Sequence, residues 1–345
     1  MPSQTDSGVL HDNAIVVDTH NDTIVAHIRR GNLGLDGQPA AEGPPRTGTV
    51  AFLRGPMDRA VRAQEVQIDF PKMRAGGIDA AFFAVDVTLA RNNYLAYALD
   101  AFGYFEVEAQ RNDIVIARSA DDVVSAKREG RLAAILAVEN SDVVEGSLNV
   151  LRMLYRAGVR SIGLTHNISS WGADGNAEER SRGGLTSFGV KLVEEMNRLG
   201  MVVDIAHIST FGFRDVMETS QRPVICSHGN CKAVCDHPRN LDDDQIRALA
   251  RNGGSMGITF VPRFVAAEEP TFDRLLDHID HAVQVGGIDH VGIGSDFDGG
   301  GTLVDGAASF PRITEALVDR GYGGEDVRKI MGGNHMRVLR EALGG

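Results

Sequence analysis

Six apolar runs in this chain end on a histidine or a carboxylate. The first leads into Asp18-Thr19-His20-Asn21-Asp22, the third into Glu139-Asn140 and the fourth into His166-Asn167. The fifth leads into Asp204-Ile205-Ala206-His207, the sixth into Ser227-His228 and the eighth into Asp296-Phe297-Asp298. Imidazole and carboxylate together suit zinc and similar first-row divalent ions. One such ion takes roughly three or four protein ligands. His20, Asp22, Glu139, His207 and His228 are too many for one catalytic ion and suit two that share a carboxylate. Two ions about 3.5–4 Å apart can hold a bridging hydroxide and polarise a carbonyl. A lone histidine at the end of an apolar run is more often a packed or solvated residue. Recurrence across six runs is what points to a common site. Asp18 reads as a hydrogen-bonding core residue, and Asp86 and Asp204 as structural supports. His11, His27, His237, His278, His281, His290 and His335 fall outside the pattern and read as surface or helix histidines.

Such residues converge only if the elements before them lie side by side. Eight β-branched apolar runs recur with helical segments between them: Ala14–Asp18, Ile78–Val87, Leu132–Val138, Arg160–Thr165, Met201–Ala206, Pro223–Ser227, Ser255–Phe260 and His290–Ser295. Their continuous apolar character fits parallel strands buried on both faces. Between them, Ser187–Leu199 has helical spacing and stops at Gly200, and Leu241–Ala250 and Phe272–Val285 follow the same habit. Asn334 stands where a cap for a last helix, His335–Leu343, would be. Eight strand–helix repeats predict an α/β fold, a single (β/α)₈ barrel over 1–345, whose active site lies at the rim where the strands end. An open doubly wound sheet is the competitor; no G-x-G-x-x-G follows the first strand to support it. Two Gly-rich stretches, 31–50 and 170–184, read as loop insertions on that same rim, either lids or plain surface loops.

The chain has 345 residues, is 43% hydrophobic and carries a net charge of −12, which disfavours nucleic acid and anionic membrane as partners. Cys226, Cys231 and Cys235 are odd in number and crowded, unlike a secreted disulfide framework; reduced thiols fit better than a structural metal site, because the spacing is not C-x-x-C. The first residues lack a basic, apolar leader, no apolar window is long enough to span a bilayer, and the last residues are no lipid-anchor tail. The expected location is cytoplasmic.

The segments Val17–Asp22, Val138–Asn140, Leu164–Asn167, Val203–His207, Pro223–His228, Asp236-His237-Pro238-Arg239-Asn240 and Gly292–Gly299, with Gly332-Gly333-Asn334, resemble the membrane dipeptidase (renal dipeptidase) family, the M19 peptidases. The resemblance covers nearly the whole chain in the right order. It implies a zinc-dependent dipeptidase with two Zn²⁺ per chain, other divalent ions being acceptable. It implies that His20 and Asp22 hold one ion, His207 and His228 the other, and that Glu139 bridges them. His166 would steady the oxyanion, Arg239 would bind the terminal carboxylate of a small dipeptide, and Asp296 would shuttle the proton. The chain lacks the secretion signal, anchor tail and cysteine pattern of mammalian members. It therefore looks like the soluble bacterial branch, for which a homodimer stays open and a membrane-anchored, disulfide-linked one does not carry over. No substrate-contacting aromatic residue aligns within Phe260–Phe264, and Arg263 there would add positive charge that favours acidic side chains. The alternatives are another amidohydrolase-like amide hydrolase or deaminase, and a non-catalytic metal-binding barrel. The former commonly open with His-x-His and bridge their metals with a modified lysine, where this chain has His20-Asn21-Asp22 and Glu139.

Overall fold

The computed structural model describes residues 7–30, 34–38, 66–90 and 93–343. Among the described residues, nine parallel strands form one sheet: β1 Val17–Asn21, β2 Ala80–Asp86, β3 Val115–Ile116, β4 Ala133–Glu139, β5 Val159–Gly163, β6 Val202–Asp204, β7 Ile225–Gly229, β8 Ser255–Ile258 and β9 Val291–Ile293. Their order is β2-β1-β9-β8-β7-β6-β5-β4-β3, and β2 also pairs with β4. That last pairing closes eight strands into the (β/α)₈ barrel expected from the repeats. The ninth, β3, is an addition that sequence patterning does not show. It pairs with Ala133 and Ala134 of β4, whereas β5 joins β4 only from Leu136 onward. Two residues thus complete the edge of β4 below the start of β5.

Alternate residues of the strands serve two cores, as the two-residue period of a strand requires. Phe83 and Val85 of β2 belong to one core with Phe105, Leu151 and Leu154 from the helices. Ala80, Phe82 and Ala84 join Ile135 and Ala137 of β4 with Met336 and Leu339 of the last helix, Asn334–Leu343. This helix touches β1, β6, β8 and β9, strands spread around the ring, so it must cross and plug one open end. There His335 is fully buried, its Nδ1 3.0 Å from Ser255 Oγ, and burial pushes its ring down to about 3, so it stays neutral.

The helix Ser187–Leu199 matches its expected bounds, with Thr186 capping its start and Gly200 at φ 75° ending it. Two expectations need correcting. Asn334 does not cap the last helix: it is already helical, and its Nδ2 donates to the carbonyls of Ile288 and Val291 at 2.7 Å each. His11, His278 and His335 lie on helices as expected, with buried side chains; His237, against expectation, is neither on a helix nor at the open surface but lines the central pocket. The side chain of His27 and most of the 31–50 insertion lie outside the described residues. The 170–184 insertion is ordered by backbone bridges from Ala173 to Leu185 and from Gly175 to Ile208, and contains the 3-10 helix Asn176–Ser181.

Candidate metal centre

The strand ends deliver the expected residues to one cavity of about 570 Å³, walled by Asp22, Glu139, His166, His207, His228, Arg239 and Asp296 among others. Asn176 and Ala177 of the 170–184 insertion close one side of it. His20, Glu139 and His228 sit within their strands rather than beyond them. His207 and Asp296 lie just past β6 and β9 with left-handed backbones, φ 67° and 60°. Such a conformation costs a non-glycine residue about 1–2 kcal/mol. Here it accompanies the sharp turn out of each strand that brings both side chains back to the pocket.

Glu139 is at the centre. Its Oε1 lies 2.9 Å from His207 Nε2, 3.7 Å from His228 Nε2 and 4.0 Å from His166 Nε2. Its other oxygen, Oε2, lies 4.0 Å from His20 Nε2. His20 Nε2 is in turn 3.6 Å from Asp22 Oδ2 and 4.0 Å from Asp296 Oδ1. One carboxylate therefore faces two groups of donors, one with each oxygen.

The rings are held by partners behind them. His207 Nδ1 meets Asn167 Oδ1 at 2.8 Å, and His228 Nδ1 meets Ser227 Oγ at 2.8 Å. Ser227 Oγ itself donates to Asp204, so it accepts from His228. Both Nδ1 atoms thus carry the proton, and both Nε2 atoms present lone pairs, 2.8 Å apart. Two bare lone pairs at that distance repel unless a cation lies against both. This is the usual way a protein fixes a metal-binding imidazole. Asp18 plays a matching part on the other side. It accepts from Ser295 N at 2.8 Å and Ser295 Oγ at 2.7 Å, next to Asp296.

Electrostatics agree with the geometry. Burial, and then the charge of Arg239 or of neighbouring rings, hold His207 and His228 well below the usual imidazole range, in the neutral form that binds metal. Burial works against a charged His20, yet Asp22, Glu139 and Asp296 push it up to about 10. Burial drives Glu139 well up, helped by Asp86, Asp22 and Asp296. Burial pushes Asp296 up to about 7, against the pull of His20. A site with this many crowded acids demands positive charge. His20 Nε2, Asp22 Oδ1 and Glu139 Oε1 are buried with no hydrogen-bond partner. Three overlapping triads have donor atoms within 4.8 Å of one another: His20–Glu139–His228, Glu139–His166–His207 and His20–Asp22–Asp296. The donor set fits divalent ions.

Arg239 is buried beside this cluster, its Nη2 donating to His228 O at 3.3 Å and its Nε without a partner. The aspartates nearest in sequence are engaged elsewhere: Asp236 meets Lys232, Asp242 caps the helix Asp243–Arg251, Asp243 meets His281 and Asp244 meets Arg247. Asp86, in sequence a structural support, also lines the pocket, and its charge opposes the burial that lowers His166. Patterning does not single out Gly299, although it directly follows Asp298. A Cβ there would lie 2.1 Å from Asp22 Oδ2 and 2.2 Å from Asp296 Oδ1.

The profile of the family described as membrane dipeptidase (peptidase family M19) matches residues 6–343. Dipeptidase verJ of Clonostachys rogersoniana is 38% identical over 237 residues, 68% of this chain and 61% of that protein's length. Dipeptidase aclJ of Aspergillus oryzae is 36% identical over 292 residues, 79% of this chain and 69% of the relative. Among solved structures, dipeptidase AC, a metallo peptidase of family M19, superposes with a TM-score of 0.80 at 25% identity, covering 96% of this chain and 99% of that one. A metallo peptidase from Rhodobacter sphaeroides, solved with a phosphinate mimic of the dipeptide L-Ala-D-Ala, gives a TM-score of 0.80 at 25% identity, covering 96% of this chain and 100% of that one.

Proposed function

This chain belongs to the membrane dipeptidase family, peptidase family M19, and on that premise we propose that it is a zinc-dependent dipeptidase with two ions per chain. The observation that carries the reading is Glu139, one oxygen toward His20 and the other toward three histidines, in a cavity that Asp296 and the buried Arg239 also line. His20, Asp22 and Glu139 would hold one ion, and His207, His228 and Glu139 the other. When bound, such ions polarise a carbonyl and acidify water. Arg239 takes the C-terminal carboxylate of the dipeptide in its guanidinium fork, which fixes the register of a short substrate. His166, only partly buried, donates to the carbonyl oxygen as it gains charge. Asp296 accepts a proton on the attacking side and returns it to the leaving amine. The three cysteines are free and buried, which favours a reducing compartment, the cytoplasm. No helix of the described residues is long and apolar enough to cross a membrane.

The test compares a good dipeptide with its C-terminal amide. Wild type is expected to cleave the free acid at least tenfold better, because losing a charged positioning contact costs alignment as well as affinity. Arg239→Ala is expected to lose most of that preference. Equal kcat/KM for acid and amide in the wild type would remove the carboxylate anchor and, with it, the dipeptidase reading.

Gly299→Ala is a sharper probe of geometry. The added methyl cannot coexist with Asp22 and Asp296 where they stand, and both carboxylates can swing away without disturbing the barrel. Turnover is expected to fall by roughly 10–100-fold, as small misplacements of reacting groups do. The thermal midpoint of the metal-free protein should move little. Wild-type kcat in this variant would show that the two carboxylates need no such close approach.

A further inference from the structure

Resting on that reading, we propose that Arg263 and His237 form a second anion subsite beside Arg239, which selects dipeptides with an acidic C-terminal residue, Asp or Glu.

The three residues converge on one ring. The Phe264 ring lies 5.5 Å from Arg239 Cζ, 5.0 Å from Arg263 Cζ and 4.5 Å from the His237 ring. All four residues wall the same cavity. They come from two segments, the one after β7 and the one after β8, and these are tied together. Asn240 Nδ2 donates to Cys235 O and to Phe264 O, at 2.8 Å each. The fully buried His278 accepts from Cys231 N at 3.0 Å, so its other nitrogen carries the proton donated to Val265 O at 2.9 Å. The wall is thus a preformed surface rather than two independent loops.

Its chemistry is one-sided. His237 Nδ1 accepts from the Arg239 backbone N–H at 3.2 Å, so Nε2 bears the proton and is a donor. Burial and the two guanidiniums keep that ring below the usual imidazole range and hence neutral. Arg263 is exposed at the pocket wall and has no carboxylate partner among the described residues. Of the cavity's acids, Asp22, Glu139 and Asp296 crowd around His20, Asp86 is bonded by Thr88 and Asp298 by Gln67. A substrate whose α-carboxylate sits on Arg239 starts its side chain one carbon away, on the same wall. A side-chain carboxylate there meets the Arg263 guanidinium and the His237 N–H. A neutral side chain leaves both facing water. Because Arg263 is exposed, the attraction is modest and screened by salt.

The experiment uses the full-length, zinc-loaded protein and measures kcat/KM for Ala-Glu and Ala-Gln, each with the second residue in L and in D configuration. Glu and Gln share size and shape, so their ratio reads charge alone. Wild type is expected to favour Ala-Glu by roughly three- to fivefold at low ionic strength, the scale of one exposed charge pair. The ratio should shrink in about 0.5 M salt, where screening is nearly complete at contact distances beyond a few ångströms. Arg263→Gln should bring it close to one. A merely structural role for Arg263 would lower both substrates and leave the ratio alone. A wild-type ratio near one, or an unchanged ratio in Arg263→Gln, would overturn the subsite while leaving the dipeptidase reading intact. Failure to cleave any of these dipeptides would instead overturn both.

Discussion

Asp296→Asn is expected to leave divalent-ion content close to wild type and to cut kcat by about 10²–10⁴-fold, the usual share of a general acid–base group. The substitution is nearly isosteric, and Asn tolerates the left-handed backbone that Asp296 adopts at φ 60°. Position and backbone strain therefore stay as they are; what is lost is the ability to accept a proton. Burial pushes the Asp296 carboxyl up to about 7 in the metal-free protein, and bound cations would pull it back toward the anion that accepts a proton. The measurement pairs steady-state kinetics on a dipeptide with elemental analysis. Near-wild-type kcat would remove the proton-shuttling role. Loss of an ion would recast Asp296 as a ligand, a role its 4.0 Å distance to His20 Nε2 also permits.

Glu139→Gln should have the largest effect on the metal centre itself. Wild type is expected to hold about two zinc ions per chain after reconstitution, since two ions can share one carboxylate. The Gln variant should fall well below one, and turnover should fall with it. The side chain keeps its volume inside β4, but the charge between the two donor groups is gone, and the amide nitrogen must point toward one of them. Folding should survive: an acid that burial drives well up is removed, so the metal-free thermal midpoint should hold or rise. Zinc should raise the midpoint of the wild type by mass action and should do so far less in the variant. Two ions retained by Glu139→Gln would dismiss the shared carboxylate.

Much of this architecture is legible before any coordinates. The barrel strands of a parallel sheet are buried on both faces, so each reads as an apolar run, and a polar residue at its end stands out. That contrast exposes Glu139, His228 and the rest of the set at once. It fails for β3, because Val115–Ile116 is too short to show a period. It fails for Asn334, whose cap-like position says nothing of the carbonyls of Ile288 and Val291 that its amide reaches. It fails for His237, whose place on the pocket wall depends on how the segment after β7 folds back over the rim.

Residue type and order alone determined that a ring of parallel strands would present imidazoles and carboxylates on one rim, because strand period and chain direction leave few other arrangements. Tertiary structure alone decided which atoms meet. Asn167, from after β5, sets the protonated nitrogen of His207, from after β6. Asp204 reaches His228 through Ser227, and Gly299 leaves room for Asp22 and Asp296. Arg239, Arg263 and His237 share one phenyl ring. Each of these depends on a distance between segments far apart in the chain or on the direction of a side chain, and local sequence pattern carries neither.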